Sequence, residues 1–187
     1  MLRSALKENG RSETIALENG TADNWSQLIL AHPDGSEIAA IERNPVVPGG
    51  LGAQEIEEFL NQVEQSQPKS ASRWLKAYLP RVRCIYAFQI LNGARIGDGW
   101  GALEVVRKSI KSVAGGIIQG DGEGFSNEDG YHILWQLSDS AKGIWWMAVL
   151  KDGQWVTFQM DLGNREHRAA FQRGEIPAGI KAARVGE

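Results

Sequence analysis

Residues 143–160 read GIWWMAVLKDGQWVTFQM, two apolar runs separated by Asp152-Gly153. A dipeptide of this kind between apolar runs favours a two-residue type I′ turn, because glycine and aspartate accept the positive φ that such a turn demands. The turn sets the register. Lys151 faces Gln154, Leu150 faces Trp155, and Val149 faces Val156. One face then carries Trp145, Met147, Val149, Val156, Phe158 and Met160, all apolar, and is a core face; a slip of one residue would turn it out to solvent. The other face carries Trp146, Ala148, Leu150, Trp155, Thr157 and Gln159. Large aromatics mixed with polar groups allow two readings: a helix covers the face, or it is a partly open aromatic groove for a ligand or partner.

Upstream, residues 120–135 read GDGEGFSNEDGYHILW. Asn127-Glu128-Asp129-Gly130 reads as a four-residue turn between strands at 117–125 and 131–138. In that register Gly124 faces Ile133, Gly122 faces Trp135 and Gly120 faces Leu137, so the glycines make room for bulky cross-strand neighbours. The opposite face holds Asp121, Glu123, Phe125, His132, Leu134 and Gln136. Residues two apart on a strand lie roughly 7 Å apart, so Asp121, Glu123 and His132 are candidate catalytic groups for acid–base work, given burial to raise one pKa. A five-residue loop instead would move His132 onto the glycine face. With strands at 144–151 and 154–162 the region forms a four-stranded antiparallel meander.

Beyond the meander, NREHRAAFQR (164–173) reads as a short helix capped by Asn164 and closed by Gly174. It places Arg165, His167 and Arg168 at a helix N-terminus, and Arg165 and Arg168 are candidate anion contacts. On the N-terminal side, residues 1–20 read as a mobile tail that allows a short strand at Thr14–Leu17. Residues 25–43 read as a hairpin turning at His32-Pro33-Asp34-Gly35. Ile56, Phe59, Leu60 and Val63 mark an amphipathic helix over 53–66; Ala71, Trp74, Leu75 and Tyr78 mark a second over 70–79. VRCIYAFQIL (82–91) is nearly all apolar, as expected of a central strand covered on both faces. A third helix over 99–113 has Asp98 as N-cap and Leu103, Val106, Ile110 and Val113 as its buried stripe. The expected fold class is α+β: one domain over 21–187, its antiparallel sheet made of an N-terminal hairpin and the C-terminal meander and packed by three to four helices.

A chain of 187 residues with net charge −3 lacks the basic excess that phosphate neutralisation requires, and no nucleic acid is expected as partner. No run approaches the roughly 18 apolar residues of a membrane span. Cys84 is alone and cannot form an intramolecular disulfide, and MLRSALKENGRSETIALENG has no apolar core of signal-peptide length; both point to the cytoplasm. His32, His132 and His167 share no ligand spacing, so no metal is expected, and no cofactor either. GDGEGFSNEDG fails as a calcium loop, since Phe125 and Ser126 fall where a ligand and a glycine are needed. GDGWGA at 97–102 has dinucleotide-fold spacing, but NGARI separates it from its strand and the chain after residue 116 reads as antiparallel.

These readings converge on a non-enzymatic binding or interaction domain. Its contact surface is Trp-lined, at Trp146, Trp155 and Gln159, and takes a protein or a small ligand. The alternative is a small hydrolase-like or metal-assisted enzyme using the acidic and histidine face.

Overall fold

The computed structural model describes residues 1–22 and 24–184. In chain order its elements are α1 (Leu2–Glu8), β1 (Thr14–Gly20), β2 (Trp25–Ala31), β3 (Glu37–Pro45), α2 (Leu51–Glu64), α3 (Lys69–Tyr78), β4 (Cys84–Ile90), α4 (Gly99–Ala114), β5 (Ile118–Gly120), β6 (Gly124–Ser126), β7 (Ile144–Lys151), β8 (Gln154–Asp161), α5 (Arg165–Gln172) and β9 (Ala182–Arg184). The protein is α+β, with helices and antiparallel sheets. It divides into two compact units, each discontinuous in sequence: residues 1–55 with 82–115, and residues 56–81 with the described residues from 116 onward.

The first unit is a four-stranded antiparallel sheet in the order β1-β2-β3-β4. The β2–β3 hairpin turns where the sequence predicts: Gly35 adopts φ +89°, and the Gly35 N–H donates to the His32 carbonyl at 2.9 Å. Period-two alternation puts Leu28, Leu30, Ala39 and Ile41 on one side. They pack with Ile15, with Leu2 and Leu6 of α1, and with Ala102, Leu103, Val106 and Ile110 of α4. Asp98 caps α4, accepting from the Gly101 N–H at 3.2 Å. Val113, expected in the helix stripe, is 71% exposed in the last turn.

Two expectations change in this unit. Residues 1–20 form α1 and β1 in place of a tail: the strand begins at Thr14 as expected and runs on to Gly20, and the segment is held by the burial of Leu2, Leu6 and Ile15 and by the Arg11–Asp98 ion pair. β4 is not central but lies at the sheet edge. Its residues are half-buried or exposed; an apolar run fixes neither how many strands flank it nor how far its two faces are covered.

In the second unit the β7–β8 hairpin has the predicted register, from Lys151↔Gln154 through Leu150↔Trp155 to Ile144↔Asp161. Asp152 and Gly153 take φ +51° and +79°, as a type I′ turn requires. The predicted core face is the core: Met147, Val149, Phe158 and Met160 pack with Leu137, Leu162 and Phe171 of α5. β9 pairs with β8 on one side. Along the free side of β7, His132 exchanges backbone bonds with Trp146 (N–H to O, 3.1 Å) and Ala148 (O from N–H, 2.8 Å). α3 is tied to α2 by the Ser72 hydroxyl, which donates to the Val63 carbonyl at 2.6 Å.

The four-stranded meander is replaced by a smaller arrangement. β5 and β6 form their own short hairpin, with Gly120 opposite Gly124. The chain therefore reverses at Asp121-Gly122-Glu123 and not first at Asn127. Gly122 takes φ +71° with open space around it, so it serves the turn and makes no room for Trp135. Gly124 takes φ +95°, and a Cβ there would lie 3.0 Å from the Leu134 carbonyl. A second reversal comes over a five-residue loop, since Ser126 bridges to His132. Residues 131–138 form isolated bridges in place of a strand.

Candidate functional site

The mixed face of the β7–β8 hairpin is divided. At the turn end, α3 lies over it. The Trp155 ring meets the Trp74 ring edge-on at 5.3 Å, and Trp74 stacks on Tyr78 at 4.8 Å with 25° between planes. The Arg81 guanidinium sits 5.2 Å from the Tyr78 centroid. Burial first, and then the neighbouring Glu128 carboxylate, hold the Tyr78 phenol above its usual range. Ala148 and Thr157 are buried, and the Thr157 hydroxyl donates to the Ala183 carbonyl at 3.2 Å.

At the far end the face is open. Trp146 is 51% exposed and Ile144, two residues away on the same face, is 64% exposed. Gln159 lies directly across from Trp146 and is exposed. Tyr131 closes one side with its ring 5.7 Å from that of Trp146. Aromatic and aliphatic surface beside an amide and a phenol can take an apolar group and hydrogen-bond its flank.

The acidic candidates separate from the histidine. Asp121 and Glu123 are exposed residues of the β5–β6 turn. His132 is half-buried with its ring 4.8 Å from Trp145. Its Nδ1 is buried and meets no hydrogen-bond partner among the described residues. Burial depresses the imidazole below its ordinary value, and Glu123 acts on it weakly in the opposite direction. Glu123 is thus near enough to be felt, while the sheet face expected to align the three residues does not form. No cluster of three or more histidine, cysteine or acidic side chains suited to a metal occurs among the described residues.

Of the anion candidates, Arg165 is exposed. Arg168 is engaged: it donates to the Asp139 carbonyl at 2.6 Å and lies 5.8 Å from the Trp135 centroid. The Asn164 side chain accepts from the N–H groups of Glu166 and His167, so the donors an anion would need are occupied.

Sequence reasoning missed Tyr131 and Ile144 as neighbours of Trp146. Ile144 was legible from its even spacing; Tyr131 arrives through a non-local bridge. It also missed the Trp74 partnership, although Trp74 and Tyr78 are an i, i+4 pair on a helix whose spacing is plainly amphipathic.

No protein-family model matches the chain, no curated protein matches it, and no solved structure matches its fold at a significant level. No helix among the described residues is long and apolar enough to cross a membrane.

Proposed function

We propose that the protein is a binding or interaction domain whose contact surface is the open end of the β7–β8 face. The observation that carries this reading is the pair Trp146 and Ile144, both more than half exposed on a strand whose other face packs Met147 and Val149 into the core with Trp145 against it. A tryptophan is costly to leave in water; at ~25 cal/mol per Å² an exposed indole forgoes on the order of 2 kcal/mol of burial, and exposed aromatics of this kind anchor partner surfaces. Trp155, packed on Trp74, supports the fold of this surface and stands outside the contact area. A protein or peptide with an apolar side chain and a neighbouring polar group suits Trp146, Gln159 and Tyr131. The lone Cys84 suits a reducing compartment such as the cytoplasm.

The test is a photo-crosslinking amino acid placed at Gln159, with and without Trp146→Ala, in cells expressing the protein. A crosslinked species that depends on Trp146 is expected, while Trp146→Ala changes stability in urea by no more than about 0.5 kcal/mol. Crosslinking that is absent, or indifferent to Trp146→Ala, would remove this reading.

A further inference from the structure

The two edges of the first unit's sheet are built in opposite ways. β1 is a defended edge. Its register against β2 shifts twice, between Leu17 and Asn19 and between Asn19 and Gly20. Its outward Ile15 carbonyl is occupied by Arg3 of α1, whose Nη2 donates at 2.8 Å. Glu18 adds a charge and Gly20 ends the strand. Bulges, charges and covered carbonyls are the means by which sheet edges avoid pairing with foreign strands.

β4 has none of these. Its pairing with β3 runs from Cys84↔Pro45 to Ile90↔Ala39 without a shift, and CIYAFQI contains no charge, proline or glycine. The flanking bonds fix which backbone groups point outward. The Leu91 N–H donates to the Ile38 carbonyl and the Val46 N–H to the Arg83 carbonyl, both at 2.9 Å. Residues 83 and 91 therefore face β3, and by the period of two so do Ile85, Ala87 and Gln89. The N–H and C=O groups of Cys84, Tyr86, Phe88 and Ile90 point the other way. Among the described residues, none of them has a hydrogen-bond partner. A straight, uncharged, β-branched and aromatic edge is a template for another extended strand.

We infer that β4 pairs with β4 of a second copy, antiparallel about a twofold axis at Ala87, joining two four-stranded sheets into one. The symmetry fits the strand. With Ala87 on the axis, Tyr86 meets Phe88 of the partner subunit and Cys84 meets Ile90 of the partner subunit. These are the residues whose backbone groups point outward, so each pair exchanges both bonds. Ala87 faces itself in a non-hydrogen-bonded pair, where Cα atoms approach to about 4.5 Å and a small side chain is needed. No like charges oppose one another along the strand, and Arg83 falls opposite Leu91. A single edge of this length buries less than the roughly 1,200 Å² of a permanent interface, so the dimer is reversible and concentration-dependent.

The experiment combines sedimentation with register-specific crosslinking, using the full chain in a Cys84→Ser background. Sedimentation should show monomer at low micromolar concentration and dimer as concentration rises. Ala87→Lys, which sets two like charges on the axis, should raise the dissociation constant about tenfold or more. Within the monomer the new lysine lies beside Glu42, so an unchanged urea midpoint separates lost pairing from lost folding. Under mild oxidation Ala87→Cys should form a disulfide-linked dimer, and Gln89→Cys, which would face Ile85 of the partner subunit, should not. Three results would overturn the inference: a monomer at every concentration, equal crosslinking at 87 and 89, or a dimer indifferent to Ala87→Lys. A strand from a different protein as the true occupant would give the first of these.

Discussion

Trp146 and Trp155 lie on one face of one hairpin, yet one is more than half exposed and the other is packed under a helix. Strand face and residue type are the same. What differs is the neighbour: Trp74 of α3 reaches Trp155, while the ring beside Trp146 is that of Tyr131, which leaves Trp146 more than half exposed. A sheet face is therefore not the unit of burial; coverage is decided a few residues at a time by the reach of what packs against it. On the binding reading proposed above, the same division gives the two tryptophans opposite duties, one to stability and the other to contact.

The contrast breaks most directly at Trp155. Trp155→Ala leaves the Trp74–Tyr78 stack without its third ring and should destabilise by about 2–4 kcal/mol, below the value for a fully buried indole because Trp155 is only half-buried. A urea midpoint close to the parent would make the two ends of the face equivalent. Next in size is Gly153→Val. Gly153 takes φ +79° with open space around it, so the cost is conformational only, about 1–2 kcal/mol. Both tryptophans share a face only while that turn holds. Urea unfolding measures the loss, and a shifted fluorescence of Trp146 in the folded variant would reveal a slip of register.

The smallest effect concerns pH. His132 pairs its backbone with Trp146, and burial holds its imidazole below the ordinary value. The ring is then protonated more readily in the unfolded chain, so unfolding binds a proton as pH falls below the unfolded value near 6.5. Stability therefore declines on acidification through that window and recovers above it. His132→Gln should flatten this slope between neutral and mildly acid pH. An identical slope in urea titrations of parent and variant would show that the ring is as well solvated folded as unfolded.

Legibility followed the size of side chains. The β7–β8 hairpin could be read to the residue because large apolar groups alternate with small or polar ones and Asp152-Gly153 marks the reversal. The 120–135 stretch could not. Glycine marks no face, and Gly122, Gly124 and Gly130 each permit a reversal, so the chain turns at Asp121-Gly122-Glu123 and again after Ser126. Asp121 and Glu123 went from a supposed sheet face to a turn for that reason. α1 was missed because Leu2 and Leu6 are sparse among polar residues; the partner of α1, α4, lies far along the chain, whereas the start of β1 at Thr14 could be read. The open end at Trp146 was half visible: its mixed composition could be read, but the reach of α3 could not.

The discontinuity of the first unit carries a kinetic consequence. Pro45 and Cys84 are direct register partners, yet α2 and α3 intervene between them in sequence. Closing that pair requires a long loop to be brought together before β4 contributes any ladder bonds, and α4, which seals the same core, is made later still. On the ribosome the β1–β3 meander must emerge and wait with only α1 against its apolar side. Non-local closure of this sort slows folding relative to a unit whose strands succeed one another directly. The hairpin of β7 and β8, closed by a two-residue turn, waits for nothing upstream to find its register, so the part of the chain synthesised last holds an element able to form as soon as its residues are free.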